Sequence, residues 1–160
     1  MGFIEEIKKQ AKASIKTICL PEAEDIIILK ATQTISKEGF AKIVLIGNNE
    51  NILKVAKDNN IDISDATIID PLKSENANRY ANKLYELRRE KGMTEDQAKE
   101  LVKDPVYFGM MMVKLEDANG LVSGACHSTA DTLRPALQII KTLPRNQNSF
   151  NIFCNEYSKL

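Results

Sequence analysis

The sequence lacks several features that would assign it to a particular class of protein. Its 22 basic and 22 acidic residues cancel to a formal net charge of zero, so the overall charge gives no reason to expect a nucleic-acid partner. No apolar run approaches the length that spans a membrane. The first twelve residues mix charges into every turn, and we therefore expect neither a signal peptide nor a membrane anchor.

Cysteine is also scarce. The chain has three (Cys19, Cys126 and Cys154), an odd number without the spacing of a metal site. This pattern predicts free thiols in a reducing compartment, and hence a cytoplasmic location. The length of 160 residues allows one ordinary domain with a real core, or part of a larger architecture.

Short apolar segments alternate along the chain with segments of helical periodicity. Strands are predicted at 17–20, 42–46, 66–69 and 120–122, and helices at 2–13, 22–38, 50–58, 74–91, 94–102 and 106–115, with a last helix after 131. Near-continuous apolar strands separated by helices indicate parallel strands that are covered on both faces. The predicted fold class is therefore α/β, with a doubly wound, mainly parallel sheet and helices on both faces.

The most informative stretch is 119–141. A short apolar run breaks at Ser123, small hydroxyl residues follow, and an apolar helical pattern then begins. A strand, a loop of small residues and a helix start are the layout with which proteins bind anions, because the helix start offers unpaired N–H groups and a partial positive charge. Arg134 stands near that start, where its guanidinium could bind two phosphate oxygens.

Pro135 sets the expected start of this last helix. Proline fits a helix mainly in its first turn, which predicts an N-cap near Asp131 or Thr132 and places Arg134 at the mouth of the helix. Asp131 is then interpreted as a cap or as a residue that orients Arg134. The alternative is that Arg134 is a surface residue paired with a neighbouring carboxylate. Two acids after the first strand, Glu22 and Glu24, are interpreted as favouring the start of the second helix.

Several long motifs carry a resemblance to a known family. They are LPEAED, KIVLIGN, YELRREKGMT, DPVYFGMMMVKLEDANGLVSGA and SGACHSTADTLRPALQIIKT. In register from about Phe3 to Thr142, the sequence resembles phosphate acetyltransferase. The resemblance implies an α/β fold similar to the first domain of isocitrate and isopropylmalate dehydrogenases. It also implies acetyl transfer from acetyl-CoA to phosphate, a homo-oligomer, and no metal or cofactor beyond coenzyme A as a substrate.

The resemblance also suggests residues that bind substrate. Two arginines that help bind phosphate or CoA in the family match Arg88 and Arg134, although basic residues at a helix end such as Arg88 also suit the helix dipole without any function. His127 matches the family's GA-x-H pattern and is expected to line the cleft as a donor. Other donors to an anion, with helix capping as the alternative role, are Ser123, Ser128 and Thr129. Cys126 is not expected to be a nucleophile, because family members often have Ala or Val there.

The sequence departs from the family in two respects. Ile27 occupies a position that is commonly arginine. Family members are also considerably longer, and the proposed catalytic base and oxyanion stabiliser lie in a later segment, so no catalytic residue is assigned in this chain. Residues 1–143 are predicted to be an incomplete first domain and 144–160 a divergent tail produced by truncation or a frameshift. Phosphate butyryl transfer, or a non-catalytic anion-binding or assembly domain, remains an alternative.

Overall fold

The computed structural model describes residues 2–141, in which the chain forms seven α-helices, one 3-10 turn and four strands. The strands are β1 (Lys16–Leu20), β2 (Ala41–Ile46), β3 (Thr67–Ile69) and β4 (Gly120–Leu121). The helices are α1 (Phe3–Ala13), α2 (Ile26–Glu38), α3 (Asn49–Asp58), α4 (Ala77–Arg88, followed by the 3-10 turn Arg89–Lys91), α5 (Glu95–Leu101), α6 (Pro105–Lys114) and α7 (Thr129–Ile139). Within this range no helix is both long and apolar enough to cross a membrane.

The four strands form one sheet in the order β3-β2-β1-β4, and every neighbouring pair is parallel. The chain builds the sheet outward from β1 to β3 and then returns to the other side of β1 with β4. The order therefore reverses between β1 and β4, and in open parallel sheets ligands bind beyond the carboxyl ends of the strands at such a switch point. The doubly wound fold that the sequence predicts is confirmed.

The core lies on both faces of the sheet. Along β2, Ile43 and Leu45 pack with side chains of α2 and α3, whereas Val44 and Ile46 pack with side chains of α4, α5, α6 and α7. Successive side chains of a strand point to opposite faces, so a strand buried on both faces is apolar at every position. Helices therefore cover both faces, which leaves the ends of the strands as the natural place for a site.

Local side-chain caps set several helix starts, among them those of α5 and α2. Thr94 and Gln97 form the capping box that the sequence predicts at the start of α5. At α2, the carboxylate of Asp25 accepts a hydrogen bond from the backbone N–H of Ile27. Helix α2 therefore begins at Ile26, and the prediction of a helix from residue 22 is wrong because Glu22 belongs to the loop that precedes it.

The start of α7 also differs from the prediction. Ser128 is the N-cap, and its hydroxyl oxygen accepts from the backbone N–H of Asp131 at 3.2 Å. Pro135 lies inside the helix, where it removes one helical hydrogen bond. The helix forms nevertheless, because the Ser128 cap satisfies its first turn and Pro135 is buried. Arg134 therefore lies in the second turn of α7 and not at its mouth.

Candidate functional site

Two loops meet at the switch point of the sheet. One follows β1 and begins with Pro21 and Glu22; the other, residues 123–128, connects β4 to α7. Because β1 and β4 are adjacent and parallel, the loops that follow them begin at the same edge of the sheet. The backbone N–H of Val122, just after β4, donates to the carbonyl oxygen of Cys19 at 3.0 Å. The backbone pairing between β1 and β4 therefore continues to the edge at which the two loops begin.

Four consecutive backbone amides of loop 123–128 bind the side chain of Glu22. Its Oε2 accepts from the N–H groups of Gly124 (2.9 Å) and Ala125 (2.8 Å), and its Oε1 accepts from those of Cys126 (2.7 Å) and His127 (2.8 Å). Successive amides that point to one place form an anion-binding nest. The loop therefore has the capacity to bind an anion that the sequence predicts, but an internal carboxylate occupies it.

This environment keeps Glu22 ionised. Its side chain is only 1% exposed, and burial by itself would raise the pKa of the carboxyl group. The backbone N–H groups of Cys126 and Ala125, together with the ring and backbone N–H of His127, outweigh that effect and lower the pKa of Glu22 to about 2. Glu22 is thus a permanent negative charge inside the loop at neutral pH.

His127 makes a fifth contact with the same carboxylate. Its Nδ1 lies 2.8 Å from Oε1 of Glu22. An ionised carboxylate only accepts hydrogen bonds, so Nδ1 must carry a hydrogen. Nε2 has no hydrogen-bond partner among residues 2–141, and the side chain is 34% exposed beside the cleft. In the neutral ring with its hydrogen on Nδ1, Nε2 is the acceptor; that His127 lines the cleft as a donor to the ligand stays a prediction.

The thiol of Cys126 is also held by an acid. Its Sγ donates to Oδ2 of Asp25 at 3.1 Å. This hydrogen bond, with smaller effects from burial and from the charges of Asp25 and Glu22, raises the pKa of the thiol. Thiolates and not thiols are the nucleophiles, so the geometry agrees with the interpretation that Cys126 is not one.

A cleft of about 210 Å³ opens between the two loops, the end of β2 and the start of α6. Its wall includes three acids, Glu22, Glu24 and Asp25, and none of the described residues that line it is lysine or arginine. Within residues 2–141 no Cys, His, Asp or Glu side chains cluster in threes as metal ligands do. Negative charge makes this cleft a poor position for a phosphate group, which needs positive partners nearby.

Arg134 and Arg88 both act through their charge on the hydroxyl of Tyr107, in the first turn of α6. Burial raises the pKa of this hydroxyl, the positive charge of Arg134 opposes that rise, the negative charge of Asp104 adds to it, and the charge of Arg88 opposes it. The Tyr107 hydroxyl donates to Oε1 of Gln138 at 2.9 Å. Helices α4 and α7, which end with Arg88 and carry Arg134 respectively, both pack against α6 and cover the same face of the sheet.

Neither arginine is neutralised by the described part of the chain. Within residues 2–141 no ion pair involves Arg88 or Arg134, and the buried Nε of Arg88 has no hydrogen-bond partner. Asp131, which the sequence suggests as an orienter of Arg134, instead accepts from the hydroxyl of Ser128 at 2.6 Å and belongs to the cap. Both guanidinium groups therefore keep hydrogen-bond donors for an external anion.

The three hydroxyl residues of the predicted set have different positions. Ser128 caps α7, Thr129 is the exposed first residue of that helix, and the half-buried Ser123 hydroxyl lies 3.5 Å from that of Thr132. For Ser128 the capping alternative is the observed role. A substrate-binding role for these residues, as for His127 and the two arginines, stays a prediction.

Comparison with known proteins gives the family. A model described as phosphate acetyl/butaryl transferase matches residues 2–159. The chain belongs to this family. The match extends over 144–159, the segment for which the sequence predicts a divergent tail and which lies outside the described residues.

Named members of the family are close relatives over part of their length. The chain is 54% identical over 144 residues to a phosphate acetyltransferase of Acetivibrio thermocellus and 53% identical over 144 residues to one of Thermoanaerobacterium thermosaccharolyticum. Each match covers 90% of this chain and 43% of the relative. The chain therefore spans less than half the length of these relatives.

Solved structures of the family have the same fold. The EutD phosphotransacetylase from Staphylococcus aureus superposes with a TM-score of 0.84 at 38% identity, over 91% of this chain and 44% of that one. A phosphotransacetylase from Streptococcus pyogenes superposes with a TM-score of 0.82 at 32% identity, over 92% and 46%. The described fold is thus a part of the phosphotransacetylase architecture.

Sequence reasoning missed the most connected residue of the site, Glu22. The sequence suggests a charge that favours the start of α2, whereas the side chain binds the backbone of loop 123–128. A usable signal exists, because Glu22 and Gly124 each follow the end of a predicted parallel strand. Strand ends of a parallel sheet share one edge, so an acid there can be tested against a neighbouring loop of small residues.

Proposed function

We propose that this chain provides the phosphate- and CoA-binding part of a phosphate acetyltransferase, which converts acetyl-CoA and phosphate into CoA and acetyl phosphate. The relatives named above support this reaction for the whole enzyme. Because the chain spans 43% of their length, we propose binding for the chain itself and little or no turnover.

The observation that carries the proposal is that neither Arg88 nor Arg134 forms an ion pair with an acid within residues 2–141. The two arginines lie on α4 and α7, which both pack against α6. Guanidinium groups bind phosphate oxygens through two parallel hydrogen bonds, and two such groups suit inorganic phosphate or the phosphates of CoA. The acid-lined cleft is suited to an uncharged part of the ligand.

Binding of this kind contributes to the reaction through position and charge. Acyl transfer between a thioester and phosphate needs the two reactants held together, and cationic groups lower the repulsion between the phosphate and the developing negative charge. The residues matched here bind and orient; a catalytic base is not assigned among them. In this proposal CoA is a substrate, and neither a metal nor a further cofactor takes part.

Other parts of the proposal rest on the relatives. Their names favour acetyl over butyryl transfer. We also propose a cytoplasmic location. It is supported by Cys19 and Cys126, which are free thiols in the described part of the chain. A homo-oligomer without a nucleic-acid or membrane partner completes the proposal.

Calorimetry with CoA and with inorganic phosphate tests the binding step. The purified 160-residue chain is compared with Arg88→Ala, Arg134→Ala and Arg89→Ala, the last being an exposed neighbour that serves as the matched control. We expect CoA binding to weaken about tenfold or more in the first two variants and to change less than about twofold in the control. Absence of CoA and phosphate binding by the wild-type chain would overturn the proposal.

An activity assay distinguishes a chain that catalyses the reaction from one that only binds the substrates. Acetyl phosphate formation from acetyl-CoA is measured with the same proteins. We expect no turnover in the range of about 1 per second or above that is usual for enzymes. Turnover in that range, lost in Arg134→Ala, would show that the chain carries its own catalytic groups and would exclude a purely binding role.

A further inference from the structure

Glu22 makes more hydrogen bonds than any role as a helix-start charge requires. Two carboxylate oxygens receive five donors, namely the four backbone N–H groups of residues 124–127 and Nδ1 of His127. All five donors come from one loop, and the acceptor comes from another strand end. The arrangement ties the conformation of loop 123–128 to one buried charge.

The donor pattern requires a carboxylate and not merely a polar side chain. Each oxygen of Glu22 faces two or three donors, so both must accept. A glutamine has the same shape but offers one oxygen and one NH2 group, which would face donors. The other acids of the cleft have different contacts. Within residues 2–141, Glu24 accepts only from the side chain of Asn51, at 3.2 Å, and Asp25 caps α2 and accepts from Cys126.

We propose that Glu22 is a positioning residue for the ligand site. It fixes loop 123–128 and holds the ring of His127 with its hydrogen on Nδ1, which leaves Nε2 as the ring atom that accepts a hydrogen bond from the ligand. The thiol or a hydroxyl of CoA is the chemical class of donor that fits. The ligand part of this inference rests on the proposed function, whereas the role of Glu22 in the loop does not.

A loop that is ordered before the ligand arrives favours binding energetically. A loop that orders only when ligand arrives loses conformational entropy during binding and weakens it. Glu22 orders loop 123–128 during folding, so this part of the binding site is preorganised before the ligand binds. The tautomer of His127 is fixed in the same way, since the hydrogen bond at one ring nitrogen determines the state of the other.

Nuclear magnetic resonance of the histidine ring tests the positioning role without ligand. The chain contains one histidine, so labelling with ¹⁵N-histidine gives the signals of one ring. At alkaline pH we expect protonated Nδ1 and unprotonated Nε2 in the wild-type chain and in the control Glu24→Gln. In Glu22→Gln we expect this tautomer to be lost, and in Glu22→Asp to be partly restored. A wild-type ring with its hydrogen on Nε2, or an unchanged ring in Glu22→Gln, would overturn the proposal.

Titration with CoA tests the ligand contact. We expect the Nε2 signal of the wild-type chain to shift more than the Nδ1 signal. CoA binding should weaken about tenfold in Glu22→Gln but change less than about twofold in Glu75→Gln, which replaces an exposed acid outside the cleft. CoA binding that leaves Nε2 unshifted overturns the ligand contact and leaves the proposed function standing. Absence of CoA binding overturns the proposed function, and the ring tautomer still decides the positioning role.

A second variant, His127→Ala, tests the ligand contact even if Glu22→Gln fails to fold. His127→Ala removes the ring and keeps the four backbone hydrogen bonds to Glu22, so it is expected to fold. We expect it to bind CoA about tenfold more weakly than the wild-type chain, since it lacks one contact. Equal affinity would contradict the assignment of Nε2 as a ligand contact.

Discussion

The thiol of Cys126 donates a hydrogen bond to the carboxylate of Asp25, with Sγ and Oδ2 3.1 Å apart. The two residues are 101 positions apart in the chain and belong to the two loops that form the cleft. Asp25 also accepts from the backbone N–H of Ile27 and caps α2. The same carboxylate therefore starts a helix and keeps an exposed thiol protonated.

Replacing Asp25 should make Cys126 more reactive. In Asp25→Asn the charge disappears and the hydrogen bond weakens, so the pKa of the Cys126 thiol falls towards its ordinary value and the thiolate fraction rises. Asparagine is as good an N-cap as aspartate, so α2 is kept. We expect alkylation of the peptide that contains Cys126 by iodoacetamide at pH 7.5, followed by mass spectrometry, to become roughly threefold faster or more.

The control for this measurement is Asp62→Asn. Asp62 makes a similar contact with a backbone N–H, that of Ser64, but lies outside the cleft. It should leave the alkylation rate of Cys126 as in the wild-type chain. An equal rate in Asp25→Asn and the wild type would show that the hydrogen bond does not control the thiol.

Glu22 should make the chain sensitive to acid in a defined range of pH. The pKa of its carboxyl group is about 2 in the folded chain and near 4.5 without the fold. Because the folded pKa is the lower one, the stabilisation is present above pH 4.5 and is lost as the pH falls from 4.5 to about 2. In Glu22→Gln the free energy of unfolding at pH 7 should be lower by on the order of 3 kcal/mol, and the difference should shrink in that range.

Urea unfolding of both proteins at pH 7, 5, 4 and 3 measures this difference. Other carboxylates also titrate below pH 5, and subtracting the two curves removes their contribution. Glu24→Gln, which changes an exposed acid of the same loop, should follow the wild-type curve. A difference between Glu22→Gln and the wild type that stays constant with pH would contradict the explanation.

The hydroxyl of Tyr80 should stabilise the fold. The ring is buried, packs edge-on against Phe108 with 4.9 Å between centroids, and donates its hydroxyl hydrogen to Asp117 at 2.6 Å. Tyr80→Phe keeps the packing and removes the donor, so the free energy of unfolding should fall by about 1–2 kcal/mol. Tyr85→Phe, for which no hydroxyl contact is observed among residues 2–141, should change it by less than about 0.5 kcal/mol in the same urea experiment.

Exposed apolar side chains on α1 predict self-association. Phe3 and Ile4 are 80% and 66% exposed, and α1 has no buried residue. Apolar patches of this kind on a soluble chain commonly bind another protein surface. We expect light scattering to show oligomers that dissociate in the double variant Phe3→Glu and Ile4→Lys. A wild-type monomer with no binding of an apolar dye would contradict this.

The sequence predicts most of the fold because its signals are local. The apolar run of β2 and the capping pair Thr94 and Gln97 specify their elements through neighbours a few residues away. The start of α7 is predicted wrongly because the rule for Pro135 is local too, whereas burial of that ring in the core depends on the tertiary structure.

The site is predicted less well for the same reason. Small residues and hydroxyls in loop 123–128 indicate an anion, and the structure has one there. The anion is the side chain of Glu22, however, and no pattern within the loop identifies a partner more than a hundred residues away. Arg88 and Arg134 are suggested by their motifs, but the packing of their helices α4 and α7 against α6 depends on the tertiary structure.

The separation in sequence between Glu22 and its partners has a consequence for how the chain folds. The five hydrogen bonds join residues that are 102 to 105 positions apart. Closing so long a segment has a large entropic penalty, so such contacts form after local helices and after nearby strands have paired. During synthesis on the ribosome, the carboxylate of Glu22 therefore lacks its hydrogen-bond donors until residue 127 has emerged. We expect the cleft to be the last part of the described chain to take its final shape.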